Sequence, residues 1–404
     1  MIRITLALLG ALILISSTAM AQEMHVEGYA DFRFLSAGPP DSFLDGGVGK
    51  LRFGQGEGDQ AQQFQFAEAS MAATLLLTGD VLAYANIRYD SRQRTALDAL
   101  EAYARYRPVS VSRWRWSVKA GAFFPPISLE NTGIGWTIPW TLTPSAINSW
   151  VGEELRTIGS EAKIEWRGDV DRMEWIFALY GLDDPAGALL AARGWSLNDR
   201  ITGLFDLNRL PNATEYNPSA RRIHPFREID DRPGWYSGVR WRSEGIGSLE
   251  LLRYDNQANP SARRDGQLAW RTSFWSLGAE TGYDDFVLIS QAMFGETEID
   301  PTPQFNAITK FQSAYLLAGY DLTDWRLAAR VDGYAAQQQN AGRNVPAGEH
   351  GDAVTLALTW LPIEALRVTA EGIRNNSWRL QRTVVEEPPR AVETVFQLGV
   401  RVFF

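Results

Sequence analysis

Apolar and polar residues alternate one by one through much of this chain. Over Glu393–Phe404, ETVFQLGVRVFF, one strand face would carry Thr394, Phe396, Leu398, Val400, Val402 and Phe404. The other would carry Glu393, Val395, Gln397, Gly399, Arg401 and Phe403. Side chains on a strand point alternately to its two sides, so one face is apolar and the other mostly polar. The same pattern sets Val26, Gly28, Ala30, Phe32 and Phe34 against Glu27, Tyr29, Asp31 and Arg33. It is clearest where Trp114, Trp116, Val118, Ala120, Ala122 and Phe124 oppose Arg113, Arg115, Ser117 and Lys119.

Followed along the chain, the pattern predicts sixteen strands: 26–34, 63–77, 81–90, 97–107, 113–124, 157–167, 172–182, 234–242, 248–255, 268–282, 285–296, 310–320, 325–336, 352–361, 365–375 and 393–404. Connections after the even-numbered strands are turns of a few residues. Those after the odd-numbered strands are mostly long, notably 36–62, 125–156 and 183–233. Alternation blurs in the middle strands, which bulges would explain. All 19 prolines are expected outside the strands, because a strand with two paired neighbours cannot spare an N–H. A closed barrel in lipid requires strands of this kind, since closure satisfies every backbone polar group. The expected fold class is all-β, a transmembrane antiparallel β-barrel of about 16 strands with short periplasmic turns and long outer loops. Tyr106, Trp114, Trp166, Trp175, Trp241, Trp325, Trp360 and Phe404 fall at the short-turn ends, where an interfacial girdle would lie. The alternating terminal stretch ending on Phe resembles the signal read by the barrel-assembly machinery of Gram-negative outer membranes.

Residues 1–21 have the layout of a secretory signal peptide: Arg3, an apolar run from Ile4 to Ile15, then Ala19-Met20-Ala21. Cleavage before Gln22 would leave 22–404 as the barrel, in contact with outer-membrane lipid and lipopolysaccharide. No later segment is a helical membrane span. Yet 12% of residues are aromatic, 15 of them Trp, in a chain of mean hydropathy −0.21. Half-polar strands with aromatic belts produce that combination. A net charge of −9 speaks against nucleic-acid binding. With no cysteine there is no disulfide and no thiolate metal site.

Sixteen strands enclose a bore too wide for wall side chains to fill, so a passive aqueous channel for small hydrophilic solutes is expected. Arg88, Arg105, Arg107, Arg115, Lys119, Arg326 and Arg330 form its expected basic inner face, which would favour anions. The third long-side connection, 125–156, contains four prolines and Trp136, Trp140 and Trp150. Its only charges are Glu130, Glu153, Glu154 and Arg156. It is expected to fold inward as a constriction, the alternative being a cap over the outer mouth. Loop 183–233 is a second candidate for narrowing or plugging the pore.

At the start of the third loop, Gly121–Glu130 reads GAFFPPISLE and resembles the G-x-F-x-P-P-x-S-L-E run of the phosphate-selective porin O/P-like family. The resemblance implies a homotrimer that passes phosphate or related anions along a basic ladder. No local motif says which arginines would form that ladder. Two other classes stand beside the porin. One is a structural or adhesive barrel acting through 183–233. The other is an outer-membrane hydrolase, for which His25, His224 and His350 come with no nucleophile motif or metal-spaced cluster. No catalytic residue, metal or cofactor is expected.

Overall fold

The computed structural model describes residues 23–54, 61–210, 222–302, 305–341 and 348–404. The expected signal peptide lies outside them. Sixteen antiparallel strands form one closed barrel. They are β1 (Glu23–Ala37), β2 (Ala61–Leu76), β3 (Val81–Tyr89), β4 (Leu97–Tyr106), β5 (Trp114–Phe123), β6 (Thr157–Arg167), β7 (Asp171–Gly181) and β8 (Gly234–Ser243). Then come β9 (Gly247–Asp255), β10 (Arg271–Tyr283), β11 (Phe286–Thr302), β12 (Phe305–Asp321), β13 (Trp325–Ala341), β14 (Glu349–Ile363), β15 (Leu366–Arg379) and β16 (Arg390–Phe403). Closure runs from Tyr29↔Phe403 to Ala37↔Val395, and Gly28 exchanges two backbone hydrogen bonds with Phe404.

The outer face is apolar. Phe32, Phe34, Leu316, Leu358, Phe396 and Leu398 are exposed around it, as a surface bathed in lipid requires. At the short-turn end Trp114 stacks on Trp175 at 5.9 Å and Trp325 on Trp360 at 6.1 Å. On the last strand Glu393, Val395, Gln397, Gly399 and Arg401 are buried toward the lumen, while Phe396, Leu398 and Val402 face outward.

Two expectations are corrected here. Over the residues expected as the middle strands, 268–282, 285–296, 310–320 and 325–336, the pairing shows no register shift. Their pattern blurs because both faces are apolar: Ile289, Met293, Phe311, Tyr315 and Leu317 are buried inside, and Phe294 and Leu316 are exposed outside. Prolines are not all outside the strands. Pro301 lies in β11 and Pro362 in β14, each within a register shift, between Ile299 and Thr302 and between Trp360 and Ile363. A proline is tolerated there because the ladder is already interrupted.

The wall alone does not fill the bore, but inserted loops fill its long-loop half, narrowing the channel more than the sequence suggests. Among the described residues, parts of three connections enter from the long-loop end: L1 (38–60, described to 54), L3 (124–156) and L4 (182–233, described over 182–210 and 222–233). In L3, Ser145 caps helix α1 (Ala146–Glu154), accepting from Asn148 N at 3.3 Å, and all nine helix residues are buried. Trp150 stands in an aromatic box made by Phe311 at 5.3 Å, Phe274 at 5.5 Å and Trp195 of L4 at 6.0 Å. L4 contributes the short buried helix α2 (Ala188–Arg193) and bridges L1 at Leu51↔Leu197. The long-loop half of the lumen is therefore a packed core containing Tyr180, Tyr236, Tyr254 and Tyr334.

The short-turn half is different. Tyr84, Tyr103, Arg105, Arg115, Lys119, Lys163, Glu174, Arg240 and Glu250 are all partly exposed on the inner wall of β3–β9. L3 reaches down the opposite side. There the Pro139 carbonyl accepts from Arg326 of β13 at 3.0 Å, and Trp140 lies against Gly319 of β12, where a Cβ would sit 2.4 Å from the indole. The lumen is thus an open vestibule at one end and a loop-filled plug at the other.

Candidate functional site

Among the charge clusters on the inner wall, two combine several arginines with a cavity. The first is the vestibule. Arg105 of β4, Arg107 just after it and Arg115 of β5 line a cavity of about 320 Å³ together with the turns at 78–81 and 108–110. No described residue of L1, L3 or L4 lines it. Among the described residues none of these three arginines has a carboxylate within ion-pair distance. Asp80 also borders the cavity, its Oδ1 accepting from Val109 N at 3.1 Å. Farther along the wall, charges are paired: Lys119 with Glu161 at 3.2 Å and Lys163 with Glu174 at 3.3 Å. Lys119 Nζ also lies 3.7 Å from the Phe123 ring centroid.

The second place is a buried cluster where β1, β2, β3 and β16 meet L1 and L4. Alternation puts Asp31 and Arg33 on the inner face of β1, and Arg401 opposite Asp31 on β16. Arg33 and Arg401 both grip Asp31, at 3.1 Å and 2.6 Å. Arg88 of β3 pairs with Glu68 of β2, whose Oε1 also accepts from Tyr29 at 2.8 Å. L1 inserts Arg52, which binds Asp90 at 2.7 Å. L4 inserts Asp199, with Oδ1 2.8 Å from Arg52 Nη1 and Oδ2 2.5 Å from Arg33 Nη1. Arg88 Nη2 donates to the Asp199 carbonyl at 3.0 Å. Burial would raise the Asp199 carboxyl, but Arg33 and Arg52 together hold it far below the usual carboxylate range. A cavity of about 20 Å³ adjoins the cluster, bordered by Glu68, Arg88, Trp136, Asp199 and Arg401, with room for about one water.

The charged residues of L3 do not face open water. Glu130 is buried, accepts from Ser145 N at 2.7 Å and Asn148 Nδ2 at 2.8 Å, and faces Arg330 at 3.4 Å. Glu153 is paired with Arg193 of L4, which keeps its carboxyl low against the cost of burial. Glu154 accepts from the Trp150 indole at 2.6 Å and from Leu189 N at 2.8 Å. Arg156 lies 3.5 Å over the Phe124 ring and donates to the carbonyls of Leu155 and Thr202, and burial lowers its guanidinium to about 9. These four hold loops together, and none presents its charge to a solute in this conformation.

On the basic inner face, Arg105, Arg107, Arg115 and Lys119 lie in the vestibule, and Arg88 lies in the buried cluster. Arg326 is held by Asp321 at 2.5 Å and by the L3 carbonyl of Pro139. Arg330 is fully buried, bonded to Asp332 at 2.8 Å and to the carbonyls of Thr143 at 2.7 Å and Pro144 at 2.9 Å. It is an anchor for L3. Arg52, Lys50 and Asp199 escaped the sequence reading because they sit in irregular loops, where no periodicity assigns a face.

Glu154 yields a pH prediction. Burial raises its carboxyl to about 7, above the ordinary value of 4.5, although Leu189 N and the Trp150 indole work against the shift. The folded state thus binds the extra proton between those values. Stability from this group is complete below about 4.5 and falls as pH rises through 7. Thermal unfolding followed from pH 5 to pH 8 should show a loss that Glu154→Gln removes; an equal slope in the variant would assign the loss elsewhere.

No protein-family model matches the sequence, and no curated protein matches it. Solved structures do. OmpF of Salmonella typhi, in complex with daunomycin, is 11% identical over 95% of this chain and 98% of its own, with a TM-score of 0.54. The outer membrane channel DcaP of Acinetobacter baumannii is 10% identical over 95% and 97%, with a TM-score of 0.53. An anion-selective porin from Comamonas acidovorans is 11% identical over 95% and 99%, also with a TM-score of 0.53. The chain shares the porin barrel fold. At these identities the likeness is one of fold.

Proposed function

We propose that this chain is an outer-membrane channel for small hydrophilic solutes, with a preference for anions and with conduction limited by its own inserted loops. The observation that carries the reading is the vestibule, where Arg105, Arg107 and Arg115 line a cavity of about 320 Å³ with no carboxylate within ion-pair distance among the described residues. A closed barrel with an apolar outside has one aqueous compartment to serve, and such a wall concentrates anions in it. The names of two neighbours, an anion-selective porin and an outer membrane channel, support the same class. The short turns then face the periplasm and the long loops the exterior. Phosphate, which the GAFFPPISLE resemblance suggests, is one candidate solute. A homotrimer, an N-terminal signal peptide and assembly by the barrel-assembly machinery belong to this proposal. The adhesive alternative is weaker, because the described part of L4 up to 210 is mostly buried inside the barrel.

The test is ion selectivity in planar bilayers under a salt gradient. Arg105→Gln, Arg107→Gln and Arg115→Gln combined should move the reversal potential toward cations. A wild-type protein that inserts, is folded and passes no current at any voltage would defeat the channel reading. An unchanged reversal potential in the triple variant would remove the vestibule from selectivity.

A further inference from the structure

The buried cluster is built in balanced layers: the wall sets Arg33, Arg88 and Arg401 against Asp31, Glu68 and Asp90, then L1 adds Arg52 and L4 adds Asp199. Arg33, Arg52, Arg88 and Arg401 are four guanidiniums in one neighbourhood. The strands and the residue following β3 supply Asp31, Glu68 and Asp90. The fourth carboxylate is Asp199, and it comes from a loop. Removing one partner from a buried ion cluster leaves an uncompensated charge, so with Arg52 of L1 in place the arginines need an anion whenever L4 is elsewhere.

We propose that Arg33, Arg52 and Arg88 form a carboxylate-binding site inside the bore, and that the side chain of Asp199 occupies it as an internal stand-in for the carboxylate of a solute. This deepens the anion-channel reading and rests on it. The geometry is that of ligand recognition. One guanidinium addresses each carboxylate oxygen, Arg52 at Oδ1 and Arg33 at Oδ2, while Arg88 holds the adjacent carbonyl. Charge-assisted contacts of guanidinium to carboxylate are the strong ones. The internal ligand also fits imperfectly. Oδ2 receives no aligned hydrogen bond despite its closeness to Arg33, and Arg52 Nε and Arg88 Nε and Nη1 are buried without an acceptor. Arg52 and Arg88 are 2% and 3% exposed, so these donors have no bulk water to turn to. A mobile solute bearing one or two carboxylates can take up donors that a tethered aspartate leaves idle. A small cavity beside Arg88 and Asp199 marks where its second group would begin to extend. A carboxylate solute arriving at this site competes with Asp199, and the competition favours release of the L4 segment around it.

The experiment is isothermal titration of the full-length folded barrel in detergent with sodium succinate, sodium acetate and sodium phosphate as probes. Asp199→Asn, with Asp199→Ser as a second variant in case the amide disturbs folding, removes the resident carboxylate. Folding is scored by the heat-dependent gel shift of the intact barrel. Succinate should bind the variants at least tenfold more tightly than the wild type, and Arg33→Gln added to either should abolish the gain. Succinate affinity unchanged by both variants would overturn the proposal, as would a gain that survives Arg33→Gln. A larger gain for phosphate than for succinate would overturn the carboxylate assignment. The readout needs no current, so failure of conduction in bilayers and failure of this site are separate results.

Discussion

Replacing residues 187–202 of L4 with a Gly-Ser linker of equal length is expected to raise single-channel conductance severalfold. That segment carries α2, Trp195 and Asp199, and nearly everything it touches is inside the barrel. Trp195 N donates to Glu349 at 2.6 Å, and the Trp195 indole donates to the Ala335 carbonyl at 3.1 Å. Asn198 N and the Ser149 hydroxyl of α1 bond at 2.9 Å. Lys50 of L1 pairs with Glu349 and donates to the Arg193 carbonyl at 2.8 Å. The linker keeps the chain length and removes every one of these anchors from L4. Sixteen strands without an insert leave a wide bore. The barrel wall should survive, because its ladders do not involve L4. Conductance equal to the wild type, in a variant whose gel shift shows a folded barrel, would place the barrier in L3 or L1 instead.

Arg330→Met is expected to have the largest effect of any single substitution on L3. The guanidinium lies between Asp332 at 2.8 Å and Glu130 at 3.4 Å, and it also holds the carbonyls of Thr143 and Pro144. All of these groups are buried. Methionine fills much of the volume but leaves two carboxyls without their cation, which costs about 3–5 kcal/mol in buried pairs. Asp332 also accepts from Ala146 N at 3.1 Å, at the start of α1, so the loss is transmitted to the helix. The expected outcome is a lower urea midpoint and faster proteolysis within 139–150, with partial recovery in Arg330→Lys. A midpoint within error of the wild type would mean that L3 is held by its aromatic box alone.

The barrel was legible in the sequence because lipid and lumen impose opposite demands on alternate residues. Strand β5 shows this: Trp114, Trp116 and Val118 face out, and Arg115, Ser117 and Lys119 face in. The middle strands were harder to read for a reason that the folded chain makes plain. Where L3 packs against Phe311, Tyr315 and Leu317, the lumen face is as apolar as the lipid face, and alternation disappears from the composition. The four L3 charges were findable, but their partners were not. Glu153 finds Arg193, and Arg330 finds Glu130, over long sequence separations with no spacing rule. The Asp199 site was invisible for the same reason. An aspartate in a loop carries no face, and only the fold brings it to Arg33 and Arg52.

The bore is wet at its short-turn end and loop-filled beyond it. The chain has no cysteine, so single cysteines can report on this without background. Arg115→Cys and Lys163→Cys probe the vestibule, and Ser149→Cys and Ser313→Cys probe the loop-filled half. Reaction with a membrane-impermeant charged thiol reagent, applied to the folded barrel, should be orders of magnitude faster at the first two positions. Comparable rates at all four would mean that water fills both halves of the bore.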